Sequence, residues 1–388
     1  MSFFSGINFF IIFTFFSIIG IILGVNGCRE YIKKYVLILF SLVFAFLIYS
    51  KITFIYLILF IFYEFFVIDI FLKLKSKKHI HLAYFVFLGL LPLIVSRILP
   101  FVSHTKWGFL GISYITFKVI QMLIEINDGI IKEVKFFEYF LFMIFFPTIS
   151  SGPIDRSDRF LKDLKSKISK NEYLEKLGQG LEYILTGLFY KIVLSQLIFD
   201  KMDIFSKDHA VVHLILYMYL YGFYLFFDFA GYSLMAVGAS KVFGIDTPMN
   251  FNKPFLAKDL KDFWNRWHIS LSHWFRDFVF NRLVFKMFKN KTFKSQLTIA
   301  MSAYIVDMLL MGIWHGLSFS YLIYGLYHGI FLAITECIQK TKFYKKHKRE
   351  KIFKYVSIFI TFNIVMFGFF IFSGKFTEVL KIVIRRLF

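Results

Sequence analysis

Two histidines sit beside tryptophan in apolar surroundings. His268 lies in WNRWHIS, and His315 lies in GIWHG at the end of a long apolar run. Imidazole is the side chain whose ordinary pKa suits proton transfer near neutrality, so either residue could serve as a general base. Other chemistries find no support in the spacing. His268 and His273 do not form an HExxH pair, CxxC is absent, and neither a GxSxG elbow nor a phosphate-cradling glycine loop occurs. No metal site is expected. Cys28 and Cys337 lie far apart in the chain and read as structural thiols. His79 and His81, in a lysine-rich loop, and His328, beside Gly329, read as bland.

The elements that must position the two histidines differ. Residues 259–280 read as one helix. Trp264, Trp267, His268, Leu271, Trp274, Phe275 and Phe278 then share a single apolar stripe, while Asn265, Arg266, Ser270, His273, Arg276 and Asp277 fall off it. On this reading His273 is solvated and His268 points into the protein, where a buried imidazole needs a partner or a role. The bland alternative is an interfacial helix with an aromatic face. His315 follows the run 297–314, which has scarcely any polar side chain besides Ser302 and Asp307. Gly316 comes directly after it, as a helix stop signal. An ionisable group at the end of a span is a functional candidate by default, against the alternative of capping its own helix.

The rest of the chain reads as membrane-spanning support. Of 388 residues, 58% are hydrophobic and only 18% charged, whereas a soluble domain is nearer half apolar and a quarter charged. Apolar runs at 3–25, 35–49, 52–72, 82–99, 181–199, 211–229, 297–314, 319–338 and 352–372 predict an all-α polytopic membrane protein, because helices satisfy their own backbone in lipid. The first run lacks a basic leader or a cleavage site and reads as a retained span. The net charge of +21 sits between the runs, which fits basic cytoplasmic loops and excludes nucleic acid as the partner of choice. Clusters at Arg29, Lys33 and Lys34 and at Lys73, Lys75, Lys77 and Lys78 lie two crossings apart. Both belong inside, and the N-terminus is expected outside.

Glu64 and Asp69 fall inside a span and either bond a neighbouring helix or serve function. The segments 107–126 and 136–149 raise a parity conflict, because the basic loop FPTISSGPIDRSDRF that follows them should be cytoplasmic. One of the two is expected to be re-entrant, with irregular backbone lining a cavity. Residues 241–294 are too polar to span, and the tail 375–388 is amphipathic and expected on a surface. With no repeat or linker, the chain reads as one domain, 1–388. The run RLVFKMFKNK, with Val284, Phe285, Lys286 and Lys289, mixes apolar and basic side chains. It suits either an acidic protein partner or an anionic membrane surface.

The motifs GISYITFK, FPTISSGPIDR, FDFAGYS, NFNKPF, DLKDFWNRWHISLSHWFRDFVF and LLMGIWHG occur in this order between Gly111 and Gly329. Together they resemble the membrane-bound O-acyltransferase superfamily, with a core over about 107–338, and most closely its teichoic-acid D-alanylation branch. The resemblance implies a ring of helices with re-entrant segments around a central tunnel. It implies His315 as the catalytic histidine near an outer funnel, with His268 toward the cytoplasmic mouth. Trp264, Asn265, Arg266, Trp267, Trp314, Gly316 and Asp228 are the expected supporting residues. It further implies a D-alanyl donor held as a phosphopantetheine thioester on a small acidic carrier protein, with no cofactor bound to this chain. Lipoteichoic acid outside would be the acceptor, with other membrane proteins of the pathway as further partners. It favours carrier docking over lipid at the basic run. Competing readings are an O-acetyltransferase acting on an exported polysaccharide, a transporter or flippase, and a cell-wall scaffold.

Overall fold

The structure, a computed structural model, describes residues 4, 6–27, 29–74, 80–103, 107–207 and 209–387. Cys28, Lys75, Lys77, Lys78 and His79 lie outside them, as do the side chain of His81 and residues 104–106. Among the described residues nine helices are long and apolar enough to cross a membrane. They coincide with the nine unbroken apolar runs, and the two runs in parity conflict are not among them. The chain opens with α1 (Ile7–Val25), α2 (Glu30–Ile48), α3 (Lys51–Leu74) and α4 (Ile80–Ser103). The short α5 (Ile112–Asn127), α6 (Phe136–Ile144) and α7 (Ser157–Lys165) come next. A continuous helical rod then joins α8 (Lys170–Leu188) through a π-helical turn, Phe189–Leu194, to α9 (Ser195–Ser206). After it comes the long α10 (Val211–Val242).

The chain divides into two compact units, Met1–Leu188 with Tyr232–Met249, and Phe189–Gly231 with Asn250–Phe388. In the first, α6 is only nine residues long, and residues 145–155 leave it without regular structure. All of these except Ser151 are nevertheless buried. Buried irregular backbone must find partners inside the protein, and it does. Phe146 N–H donates to Ser41 Oγ at 3.2 Å, and at the end of α6 the Lys118 ammonium donates to the Phe142 carbonyl at 2.9 Å. Gly111 allows the close approach, since a Cβ there would lie 2.1 Å from the Ile149 carbonyl oxygen. Asp155 follows, accepting from the guanidinium of Arg159, which also bonds Asp163 at 3.0 Å. Asp246 accepts from Lys176 at 2.8 Å and Lys241 at 2.6 Å. Glu64 is fully buried, whereas Asp69 is half-exposed and pairs with Lys73 at 2.6 Å.

In the second unit, the stretch 259–280 expected as one helix is broken once. A turn at 265–268 parts α11 (Leu260–Trp264) from α12 (Ile269–Phe275), which runs on through a π-helical turn at Arg276–Phe280 into α13 (Asn281–Lys289). α14 (Gln296–His315) and α15 (Phe319–Lys340) then form a hairpin. The short α16 (Lys342–His347), the spanning α17 (Lys351–Phe372) and the 13-residue α18 (Lys375–Leu387) end the chain. Ser295 and Ser318 cap the starts of α14 and α15 by accepting from Thr298 N–H and Tyr321 N–H. The two helices touch backbone to backbone. A Cβ on Gly312 would sit 2.4 Å from the Tyr321 carbonyl oxygen, and one on Gly325 would sit 2.4 Å from that of Met308. Small residues permit such contact where lipid supplies no hydrophobic drive between helices. Cys337, on α15, lies 3.4 Å from the Met301 sulfur.

Candidate active site

His268 owes its position to a local fold that helical periodicity does not reveal. Asp259 caps α11 by accepting from Asp262 N–H at 2.9 Å, and the helix ends after five residues. The chain then pairs with NFNKPF through an antiparallel bridge between Phe251 and Trp267. Asn252 N–H donates to the Arg266 carbonyl at 2.9 Å, and Ile269 N–H donates to the Asn250 carbonyl at 2.9 Å. The Asn250 side chain accepts from Ser270 Oγ at 2.6 Å and from Ser270 N–H at 3.2 Å. His268 itself takes a left-handed backbone, φ 44° and ψ 52°. A residue other than glycine adopts that conformation only where its surroundings impose it.

The apolar stripe survives the break in the helix. Trp264, Trp267, His268, Leu271, Trp274, Phe275 and Phe278 are all buried. Ser270, expected off the stripe, is buried through its bonds to Asn250, and His273, expected in solvent, is half-buried. The Phe229 ring meets His268 edge-on at 4.7 Å. Burial first, and the nearby charge of His315 second, push the His268 imidazole well below its ordinary pKa. It is therefore neutral at physiological pH and offers hydrogen bonds rather than charge.

His315 is the last residue of α14 and is half-buried. Aromatic rings surround it, with centroids at 4.5 Å for Trp314, 4.9 Å for Phe372, 5.9 Å for Tyr321 and 6.1 Å for Tyr324. Gly316 ends the helix in an extended conformation, and a Cβ there would meet the Tyr321 ring at 2.8 Å. The imidazole is thus held by the hairpin and remains reachable.

The other expected residues divide. Trp267 stacks on Phe263 at 5.7 Å, and Arg266 bonds Asp262 at 2.7 Å, so both brace the local fold. Asp228 is paired with Lys191 of the π-helical turn, and it is its neighbour Phe229 that reaches His268. Trp264 and the exposed Asn265 line a cavity of about 150 Å³, together with Asp307 and Met311. On α13, Phe285 and Phe288 are 67% and 59% exposed beside exposed Lys286 and Lys289, with Val284 half-buried. Among the described residues no three His, Cys, Asp or Glu side chains gather as a metal site would require.

Sequence reasoning passed over His328. It is fully buried, 4.6 Å from Tyr324 and 5.3 Å from Trp264, and neither ring nitrogen has a hydrogen-bond partner among the described residues. A Cβ on Gly368 would lie 2.4 Å from its Nε2. The signal was available, because Tyr321, Tyr324 and His328 share one helical face.

A family model described as MBOAT, the membrane-bound O-acyltransferase family, matches residues 31–373. The chain is 42% identical over 392 residues to the teichoic acid D-alanyltransferase of Bacillus subtilis (strain 168), an overlap of 96% of this chain and 98% of the relative. It is 45% identical over 313 residues to the protein of that name from Streptococcus thermophilus (strain ATCC BAA-250 / LMG 18311), covering 74% of each. The peptidoglycan O-acetyltransferase of Helicobacter pylori (strain ATCC 700392 / 26695) is 32% identical over 246 residues, 62% of this chain and 44% of the relative.

Proposed function

The chain belongs to the membrane-bound O-acyltransferase family, and we propose that it moves D-alanine from the phosphopantetheine thioester of a small acidic cytoplasmic carrier protein to hydroxyls of lipoteichoic acid outside. The observation that carries this reading is His315, half-buried at the end of α14 within a collar formed by Trp314, Tyr321, Tyr324 and Phe372. The near full-length likeness to a teichoic acid D-alanyltransferase supports the choice of acyl group and acceptor.

The acceptor hydroxyl oxygen attacks the thioester carbonyl carbon while its proton passes to His315. The tetrahedral oxyanion then collapses, the C–S bond breaks, and the departing sulfur takes the proton from the imidazolium. Ester and free thiol result, and the histidine returns neutral. A thioester is already activated, so the step needs no nucleotide. His268, uncharged and fixed by NFNKPF, acts by hydrogen bonding and orientation. The N-terminus lies outside on this reading, which places the basic clusters of Arg29–Lys34 and Lys73 on the carrier's side. The exposed Phe285 and Phe288, flanked by Lys286 and Lys289, suit an acidic partner with an apolar spot.

The test is His315→Ala in cells, with membrane insertion checked by immunoblot. Ester-linked D-alanine on the wall should disappear. Its retention would refute the base assignment, and donor transport that survives the substitution would favour a transporter instead.

A further inference from the structure

A carboxyl group deep in α14 pairs with no cation among the described residues. Asp307 stands eleven residues into the helix from Gln296, about 16 Å along its axis at roughly 1.5 Å per residue. It is 7% exposed, and its Oδ1 has no hydrogen-bond partner among the described residues. A carboxyl group at that depth is expensive unless something answers it. It lines the cavity shared with Lys261, Trp264, Arg276 and Met311. The two cations there are engaged elsewhere. Lys261 pairs with Glu336 and bonds Gln339 at 2.9 Å, and Arg276 bonds Asp277 at 3.0 Å.

A second orphan lines the same cavity. The Trp264 indole N–H is buried without an acceptor among the described residues. An unanswered anion and an unanswered donor together complement a ligand that carries a cation and a carbonyl oxygen, which describes an aminoacyl group. Asp307 and Met311, which line the cavity, also share one face of α14 with His315, at i, i+4 and i+8. We propose that Asp307 binds the α-ammonium of the aminoacyl donor on its way to His315, and so selects an aminoacyl over a plain acyl thioester. This rests on the acyl-transfer reading above. A charged ammonium is the part of such a donor least able to enter a membrane protein, and a buried carboxylate lowers that barrier. The alternative is a neutral carboxyl that only packs.

The experiment uses the full chain in proteoliposomes and a carrier protein charged with either D-alanyl or propionyl thioester. The two acyl groups differ only in the ammonium. The wild type should prefer D-alanyl. In Asp307→Asn the ratio of D-alanyl to propionyl transfer should fall by roughly tenfold or more, the scale of a lost charged hydrogen bond, and Asp307→Glu should recover part of it. Equal loss with both donors overturns the proposal and makes Asp307 structural. An unchanged ratio overturns it too. A wild type that transfers propionyl but never D-alanyl removes the D-alanyl reading as well.

Discussion

Gly312→Ala should cripple catalysis without touching a reacting group. The added Cβ would lie 2.4 Å from the Tyr321 carbonyl oxygen, whereas ordinary contact begins at 3.4 Å, so α14 and α15 must separate by about 1 Å. The obstacle is backbone, which cannot swing aside as a side chain can. Overpacking of this kind costs about 1–3 kcal/mol of stability, which a helical hairpin of this length can absorb. Position is the greater loss. Gly312 lies three residues from His315 on the same helix, and Tyr321, opposite it, belongs to the ring collar around that imidazole. A misplacement of ~1 Å lowers turnover by about 100-fold, or about 2.7 kcal/mol of barrier. The assay is transfer of labelled D-alanine from charged carrier protein in proteoliposomes, normalised to inserted enzyme. Gly178→Ala is the control, because a Cβ there meets nothing within 4 Å. Wild-type turnover in Gly312→Ala at equal protein level would show that the hairpin contact does not position the base.

Other outcomes follow from the same structure. His268→Asn should insert normally with a large loss of activity, because asparagine tolerates the left-handed backbone, whereas His268→Val should also lose folded protein, read by size-exclusion after detergent extraction. Phe285→Ser with Lys286→Glu should weaken carrier binding, and the residual affinity should become less sensitive to salt, measured by titration at two ionic strengths. Asp246→Asn should lower the melting temperature at neutral pH. Burial opposes the charged form of Asp246, but Lys176 and Lys241 outweigh it and hold its pKa below the ordinary carboxylate value. That stabilisation is present above the unfolded pKa and is lost as pH falls through the folded one, so the melting difference should vanish in acid.

The architecture was legible because lipid leaves few choices. The nine apolar runs match the nine helices that, among the described residues, are long and apolar enough to cross a membrane, and the parity conflict at 136–149 pointed to a segment that proves to be nine helical residues followed by buried irregular chain. The stripe at 264–278 was legible as burial but not as one helix. Periodicity reports which side chains seek the interior, and the pairing with NFNKPF that breaks the helix is a contact between segments. Ser270 shows the limit plainly, since its burial depends on Asn250, twenty residues away. His328 looked ordinary for the same reason, because an orphaned polar atom is defined by what fails to surround it.

By itself the sequence determined the all-helical membrane class, the spans and the two tryptophan-flanked histidines, because hydropathy and residue chemistry are local properties. Only the tertiary structure decided what separates those histidines. One is locked by a bridge to another segment and buried, which disfavours its charged form, and the other is carried half-open on a glycine-packed hairpin. Burial, charge coupling and backbone contact arise between elements, so no window of sequence contains them.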